Sequence, residues 1–157
     1  MYTSKSPKEE YMLGKKLDVT IVPLYNKDMD IIIDSSCIIA VLLGEEENSK
    51  VKNMTKGTRL NSAACLPYEI GNSLSAAVKR HRISPEEAIL AYKEFLKIPV
   101  RLIEPDISKA VQIATQESQY SYDAYYIVCA IEMGIPLYTL DKGMIDIAEK
   151  RGVKCLL

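Results

Sequence analysis

The chain has 157 residues, of which 48% are hydrophobic and 26% are charged, and its net charge at pH 7 is −1. These values are typical of one globular domain with a single substantial core. A nearly neutral chain has no global attraction for nucleic acid or membrane, so a polyanion would need a local basic patch or a bound metal ion. No apolar stretch reaches the roughly 18 residues that a membrane-spanning helix needs.

The cysteines indicate a reducing compartment. Cys37, Cys65, Cys129 and Cys155 lie far apart in apolar runs, with no C-x-x-C spacing. This pattern favours reduced, buried thiols over a disulfide framework or a zinc site. The charged N-terminus also lacks the apolar region of a signal peptide. We therefore expect a cytoplasmic protein that makes no membrane contact.

The N-terminal segment differs from the rest of the chain. Residues 1–28 are polar and charged apart from the short run VTIVPLY, and Met29 stands directly before the first strand-like segment. We therefore divide the chain into an N-terminal extension, residues 1–28, and a domain, residues 29–157. Either Met29 is the biological start, or the extension is an arm that packs on a neighbouring molecule.

Apolar runs of strand length alternate with helical patterns from residue 30 onward. The predicted strands are DIIID, RLNSAACLP, PVRLIE, IPLYTLD and VKCLL. The predicted helices are SSCIIAVLLG, EEENSKVKNMTKG, YEIGNSLSAAVKRHR, EEAILAYKEFLK with a capping box at Ser84, KAVQIATQES capped by Asp106 or Ser108, YDAYYIVCAIEMG capped by Ser121, and KGMIDIAEKRG. This alternation predicts an α/β fold with a central, mainly parallel sheet flanked by helices on both faces.

Four acidic residues lie at the ends of predicted strands or in the first turn of a predicted helix. They are Asp34, Glu69, Asp123 and Asp141. Ligands of open α/β sheets bind outside the carboxyl ends of the strands, so we expect these side chains to converge. Taken singly, each acid is more often a helix cap or a partner of the helix dipole.

Four carboxylates that share one pocket would repel each other unless a cation joined them. Mg²⁺ and Mn²⁺ prefer oxygen ligands, and one or two such ions can promote hydrolysis of a phosphodiester. The residues alone therefore predict a metal-dependent phosphoryl-transfer site.

The segments IIIDSSCIIAVLLGEEE, LPYEIGNSLSAAVKR and SYDAYYIVCAIEMGIPLYTLD resemble the PIN domain, in particular the toxin ribonucleases of VapBC toxin–antitoxin pairs. The resemblance runs from about Met29 to the C-terminus, and it implies a PIN-like three-layer fold with a twisted central sheet. It also implies an endoribonuclease that depends on Mg²⁺ or Mn²⁺, cleaves RNA, forms a homodimer and is inhibited by a cognate antitoxin.

The family's motifs fall on particular residues of this sequence. The resemblance implies catalytic, metal-binding roles for Asp34, Glu69, Asp123 and Asp141, with supporting roles for Ser36, Asn72 and Thr139. The first 28 residues lie outside the family's pattern. The segment KGMID stands where an aromatic residue is common, which leaves Asp146 as a candidate further acid.

A basic cluster and several tyrosines allow two interpretations each. Lys79, Arg80 and Arg82, with the only histidine, His81, end the helix that begins near Glu69. They either complement the helix dipole or contact the RNA backbone. Tyr122, Tyr125 and Tyr126 have the spacing of core or dimer packing, and stacking on an RNA base is the alternative.

Three alternative functions remain open at this point. In a haloacid-dehalogenase-like phosphatase Asp34 would be the nucleophile, but a second aspartate is expected where Ser36 stands. A PIN-like fold can instead serve as a non-catalytic interaction module. The third alternative is a housekeeping RNA-processing nuclease that has no antitoxin.

Overall fold

The computed structural model describes residues 29–118 and 121–156, so the predictions for residues 1–28 lie outside the described part. Five strands form one sheet in the order β3-β2-β1-β4-β5, and every pairing is parallel. The strands are β1 (Asp30–Ile33), β2 (Arg59–Ala63), β3 (Val100–Ile103), β4 (Leu137–Tyr138) and β5 (Cys155–Leu156). The predicted parallel sheet is confirmed.

Each predicted helix is present. Within the described ranges they are α1 (Ser35–Leu42), α2 (Asn48–Thr55), α3 (Leu66–Lys79), α4 (Pro85–Phe95), α5 (Ile107–Gln116), α6 (Ser121–Met133) and α7 (Lys142–Lys150). The predicted capping box at Ser84 opens α4, and Asp106 rather than Ser108 caps α5. The part of α6 that the structure describes begins at Ser121.

Two predicted boundaries differ for local reasons. The second helix begins at Asn48 and not at Glu45, because Gly44, with φ +62°, ends α1. The amide of Glu45 then donates to the Ala40 carbonyl over 2.9 Å, in the pattern of a Schellman cap. Strand β4 has two residues where seven were predicted, since Pro136 has no amide proton for the sheet and the Leu140 amide donates to the Ser36 hydroxyl instead of to a neighbouring strand.

The sheet divides the interior into two cores, because successive strand residues face opposite sides. Ile31 and Ile33 pack with buried side chains of α1, α2, α3 and α4 on one face. Ile32 packs with those of α5, α6 and α7 on the other. All three isoleucines are completely buried. The domain therefore has three layers, as predicted.

The order of the strands creates a crevice between β1 and β4. From β1 the chain adds β2 and β3 on one side, and it then returns to add β4 and β5 on the other side. At such a switch point the loops leave in opposite directions and open a ligand site at the carboxyl ends of the strands. Asp34 follows β1 here, and residues 139–141 follow β4.

In the described ranges no helix combines the length and the hydropathy that crossing a bilayer requires. All four cysteines are free thiols, but only Cys37 and Cys129 are fully buried, whereas Cys65 and Cys155 are partly exposed. Burial raises the pKa of the Cys65 thiol to about 11.

Candidate active site

Asp34 is a buried carboxylate that three donors hold in place. It is only 2% exposed and it caps the N-terminus of α1. Oδ1 accepts hydrogen bonds from the Ser36 hydroxyl at 2.7 Å and the Cys37 amide at 3.4 Å, and Oδ2 accepts one from the Thr139 hydroxyl at 2.9 Å. Burial raises the pKa of Asp34, and these hydrogen bonds oppose the increase.

The hydroxyls of Ser36 and Thr139 also connect two loops. Ser36 Oγ accepts from the Leu140 amide at 3.0 Å, and Thr139 Oγ1 accepts from the Asp141 amide at 3.0 Å. Each hydroxyl thus joins Asp34, after β1, to the loop after β4. Asp141 itself caps α7, and its Oδ1 accepts from the Met144 amide at 3.0 Å. The side chains of both aspartates are therefore fixed on opposite sides of the crevice.

Glu69 is held by a tyrosine from another helix. It lies in the first turn of α3, and its Oε2 accepts a hydrogen bond of 2.5 Å from the Tyr126 hydroxyl. Tyr126 lies on α6, three residues after Asp123, and residues at this spacing are neighbours on one helix face. Burial raises the pKa of Tyr126 far above neutrality, so its hydroxyl remains a donor.

Asp123 interacts with all three other acids. Its pKa is raised to about 6, first by burial and then by the negative charges of Asp141, Glu69 and Asp34. The hydrogen bonds agree with this arrangement, because Thr139 connects Asp34 with the amide of Asp141, and Tyr126, on the helix of Asp123, binds Glu69. We call these four residues the acidic cluster. The structure thus brings together residues that are far apart in the sequence.

The ligand chemistry of the acidic cluster fits a hard divalent cation. All four side chains of the cluster offer carboxylate oxygens as ligand atoms. In the described ranges none of these carboxylates forms an ion pair with a lysine or an arginine. Among those same residues no three His, Cys, Asp or Glu side chains form a ready-made ligand set. Mg²⁺ commonly binds one or two carboxylates and completes its shell with water and phosphate oxygens.

Two further candidates from the sequence do not contact the acidic cluster. Asn72 is exposed, and its side chain makes no hydrogen bond to any residue that the structure describes. Asp146 is an exposed residue of α7. The supporting roles predicted for Ser36 and Thr139 correspond to hydrogen bonds in the structure, whereas the one predicted for Asn72 does not.

The basic cluster lies at the other end of α3. Lys79 is ten residues beyond Glu69, which corresponds to about 15 Å along the helix axis. Arg82 already pairs with Glu45 at 2.7 Å. Lys79, Arg80 and Arg82 are therefore too far away to contact a phosphate in the acidic cluster, and a contact with RNA would have to involve a distant part of the strand.

Sequence reasoning missed the contact that Tyr126 makes with Glu69, and it did not consider Lys142. Tyr126 was interpreted as a packing residue, and it is buried, but its hydroxyl also binds Glu69. Its position three residues after Asp123 was the available signal. Lys142 follows Asp141, is exposed and forms no ion pair within the described ranges. It is the nearest lysine in the sequence to an acid of the cluster.

Fold and site together define an α/β domain with an acidic cluster at its switch point. The family model described as PIN domain matches residues 31–150. The chain belongs to the PIN domain family. This membership argues against the phosphatase alternative, which also lacked its second aspartate at Ser36.

Two curated relatives are similar over most of the chain. Ribonuclease VapC12 of Mycobacterium tuberculosis is 26% identical over 113 residues, which are 71% of this chain and 86% of that protein. Ribonuclease VapC3 of Pyrobaculum aerophilum is 26% identical over 127 residues, which are 78% of this chain and 95% of that protein.

Solved structures share the fold. The crystal structure of PAE2754 from Pyrobaculum aerophilum superposes with a TM-score of 0.62 at 21% identity, covering 87% of this chain and 92% of that one. VapBC2 from Rickettsia felis, crystallised with a DNA fragment from its promoter, gives a TM-score of 0.57 at 12% identity and covers 82% and 98%.

Proposed function

We propose that this protein is an endoribonuclease that depends on Mg²⁺ or Mn²⁺ and hydrolyses phosphodiester bonds of RNA. The observation that carries the proposal is the set of hydrogen bonds that hold the acids of the cluster: the Thr139 hydroxyl joins Asp34 to the amide of Asp141, and Tyr126, on the helix of Asp123, donates to Glu69. Placing charges of one sign near each other is unfavourable, above all for the buried Asp34 and the partly buried Asp123, and a divalent cation offsets that cost. The relatives named ribonucleases support RNA as the substrate.

The carboxylates of the acidic cluster would hold the ion. A divalent cation bound among them supplies an activated water and neutralises charge on the phosphate that is attacked. Asp34 Oδ2 keeps capacity for a further ligand, because a carboxylate oxygen has two lone pairs and the Thr139 hydroxyl occupies one. Glu69 binds Tyr126 through Oε2, which leaves Oε1 for a cation or a water molecule.

Two other features of the chain agree with this chemistry. Lys142, beside Asp141, is suited to contact a phosphate of the RNA backbone. The single histidine, His81, follows the C-terminal end of α3, far from Glu69 at its start. An acid–base pair of histidines is therefore not part of the proposed reaction.

Cleavage of a 5′-fluorescent single-stranded RNA by the purified protein, in Mn²⁺ and in EDTA, tests the proposal. We expect cleavage in Mn²⁺ alone, and a loss of at least about 100-fold in Asp34→Asn and Asp123→Asn, because a neutral amide cannot replace a carboxylate ligand. Glu86→Gln, at an exposed acid of α4, is the matched control and should cleave like the wild type. Cation-dependent cleavage that persists in Asp123→Asn would refute the proposal.

We also propose that the protein is the toxin of a type II pair, acts in the cytoplasm as a homodimer and binds a cognate antitoxin protein. The VapC names of the relatives and the VapBC2 complex among the structural neighbours support this. Co-expression with the product of the adjacent reading frame tests it. A stable complex in which RNA cleavage is inhibited is expected. Cleavage unaffected by that product would favour a housekeeping nuclease.

A further inference from the structure

Two tyrosines differ from the other described aromatic residues because their side chains are exposed. Tyr68 is 78% exposed and Tyr122 is 50% exposed, and they are the only aromatic members of the set of exposed large hydrophobic side chains in the described ranges. Neither belongs to the two cores. Packing within the domain therefore does not explain why these positions carry large aromatic rings.

Both tyrosines directly precede an acid of the cluster. Tyr68 precedes Glu69 in the first turn of α3, and Tyr122 precedes Asp123 in the first turn of α6. The Cα atoms of adjacent residues are about 3.8 Å apart. The Cα–Cβ bonds of a helix also tilt toward its N-terminus, which for both helices is the end that carries the acid. Each ring is thus attached at the helix end that carries an acid of the cluster, about 100° around the helix from that acid.

The ring of Tyr122 contacts one other ring and remains partly exposed. It meets Tyr125 in an edge-to-face arrangement with centroids 5.5 Å apart, which orients the ring and leaves half of the residue exposed. Tyr68 has no ring partner among the described residues. Exposed aromatic faces next to a phosphate-binding centre are the feature that proteins use to stack on bases of single-stranded nucleic acid.

We propose that Tyr68 and Tyr122 position the substrate by stacking on unpaired bases of single-stranded RNA that flank the phosphate in the acidic cluster. This inference rests on the proposed ribonuclease function. A base in a duplex must first be unpaired and unstacked before it can stack on a side chain, which costs energy that an unpaired base does not need. The tyrosines therefore favour single-stranded segments such as loops and ends.

Steady-state cleavage of a fluorescent single-stranded RNA of 20 nucleotides tests the inference. Tyr68→Ala and Tyr122→Ala should each raise KM about 5- to 100-fold with a smaller change in kcat, the range that stacking on one base provides. Tyr68→Phe and Tyr122→Phe keep the ring and should restore the wild-type KM. Ile89→Ala, an equally exposed apolar position on α4, should leave both parameters unchanged.

Substrates with one abasic nucleotide next to the cleaved bond separate stacking from structural damage. If the base at that nucleotide stacks on a tyrosine, its removal should raise the KM of the wild type as much as the alanine substitution raises the KM for intact RNA. Combining the abasic RNA with the alanine variant should then raise KM no further. Additive effects on KM, or alanine variants with the wild-type KM, would overturn the inference. The proposed ribonuclease function would still stand if the wild type cleaves RNA. A wild type that cleaves no RNA in Mn²⁺ would overturn both.

Discussion

Thr139 Oγ1 donates a hydrogen bond of 2.9 Å to Oδ2 of Asp34, 105 positions earlier in the chain. The same oxygen accepts the amide proton of Asp141. One hydroxyl therefore orients a buried carboxylate and fixes the start of the loop that bears another acid of the cluster. A hydrogen bond of this kind sets the direction of a ligand without contacting the ion.

Thr139→Val removes this hydroxyl and keeps the shape of the side chain. We expect RNA cleavage to fall about 10- to 100-fold, because Asp34 loses its donor on Oδ2 and Asp141 loses the acceptor for its amide. Thr139→Ser keeps the hydroxyl and should retain most of the activity. Cleavage rates at several Mn²⁺ concentrations provide the measurement. A valine variant as active as the serine variant would show that the bridge has no role.

Tyr126 and Tyr138 form a natural pair for measuring the bond to Glu69. Both are 1% exposed, but the Tyr126 hydroxyl donates to Glu69, whereas the Tyr138 hydroxyl has no partner among the described residues. Tyr126→Phe should lower the free energy of unfolding by about 1 kcal/mol, and Tyr138→Phe should leave it unchanged or raise it. Urea denaturation measures both. Equal losses in the two variants would contradict the assigned hydrogen bond.

The ionisation of Asp123 should make the stability of the metal-free protein depend on pH. Its pKa is about 6 in the folded chain, against an ordinary value of 3.8. Between these two pH values the folded state retains a proton that the unfolded state has lost, so this group lowers stability as pH rises and remains unfavourable above pH 6.

Asp123→Asn removes that ionisation. In EDTA its melting temperature should exceed that of the wild type at pH 7, and the difference should decrease as the pH is lowered toward 4. Thermal unfolding at a series of pH values measures this difference, with Glu86→Gln as the control for the loss of an exposed charge. An Asp123→Asn variant that is less stable than the wild type at pH 7 would show that burial and repulsion together do not make the Asp123 charge unfavourable in the folded protein.

The capping box at the start of α4 stabilises the fold away from the acidic cluster. Ser84 Oγ accepts from the Glu87 amide at 3.2 Å, and the Glu87 carboxylate accepts from the Ser84 amide at 2.6 Å. Ser84→Ala should cost about 1 kcal/mol of unfolding free energy and leave RNA cleavage unchanged. Ser108→Ala on α5, where Asp106 provides the cap, should cost much less. Similar losses for the two variants would contradict the assigned role of Ser84.

The connection between Asp34 and the loop of Asp141 could be predicted, because both follow strands that the sequence identifies. Asp34 follows a run of three isoleucines, and parallel strands place their carboxyl ends at one edge of the sheet. The bond between Tyr126 and Glu69 depends on how α6 is rotated against α3. The pattern of α6 does not reveal that rotation, because buried residues cover most of its circumference from Ala124 to Ala130.

Sequence proximity was a poor guide for the basic residues. Lys79 belongs to the helix that bears Glu69, which suggested a common binding surface, but a helix of 14 residues separates its two ends by about 20 Å. The length of strand β4 was also overestimated, because the apolar run that contains it continues into Thr139 and Leu140. Thr139 binds Asp34 and the Leu140 amide binds Ser36, and neither pairs with a neighbouring strand.

Titration of the metal-free protein with Mn²⁺ by calorimetry tests the central claim most directly, because it requires neither substrate nor turnover. The claim is that Asp34, Glu69, Asp123 and Asp141 form one cation site. We predict saturable binding to the wild type and to Glu86→Gln, and at least tenfold weaker binding to Asp34→Asn and Asp123→Asn. Equal Mn²⁺ affinity in all four proteins, or no binding to the folded wild type at millimolar Mn²⁺, would contradict it.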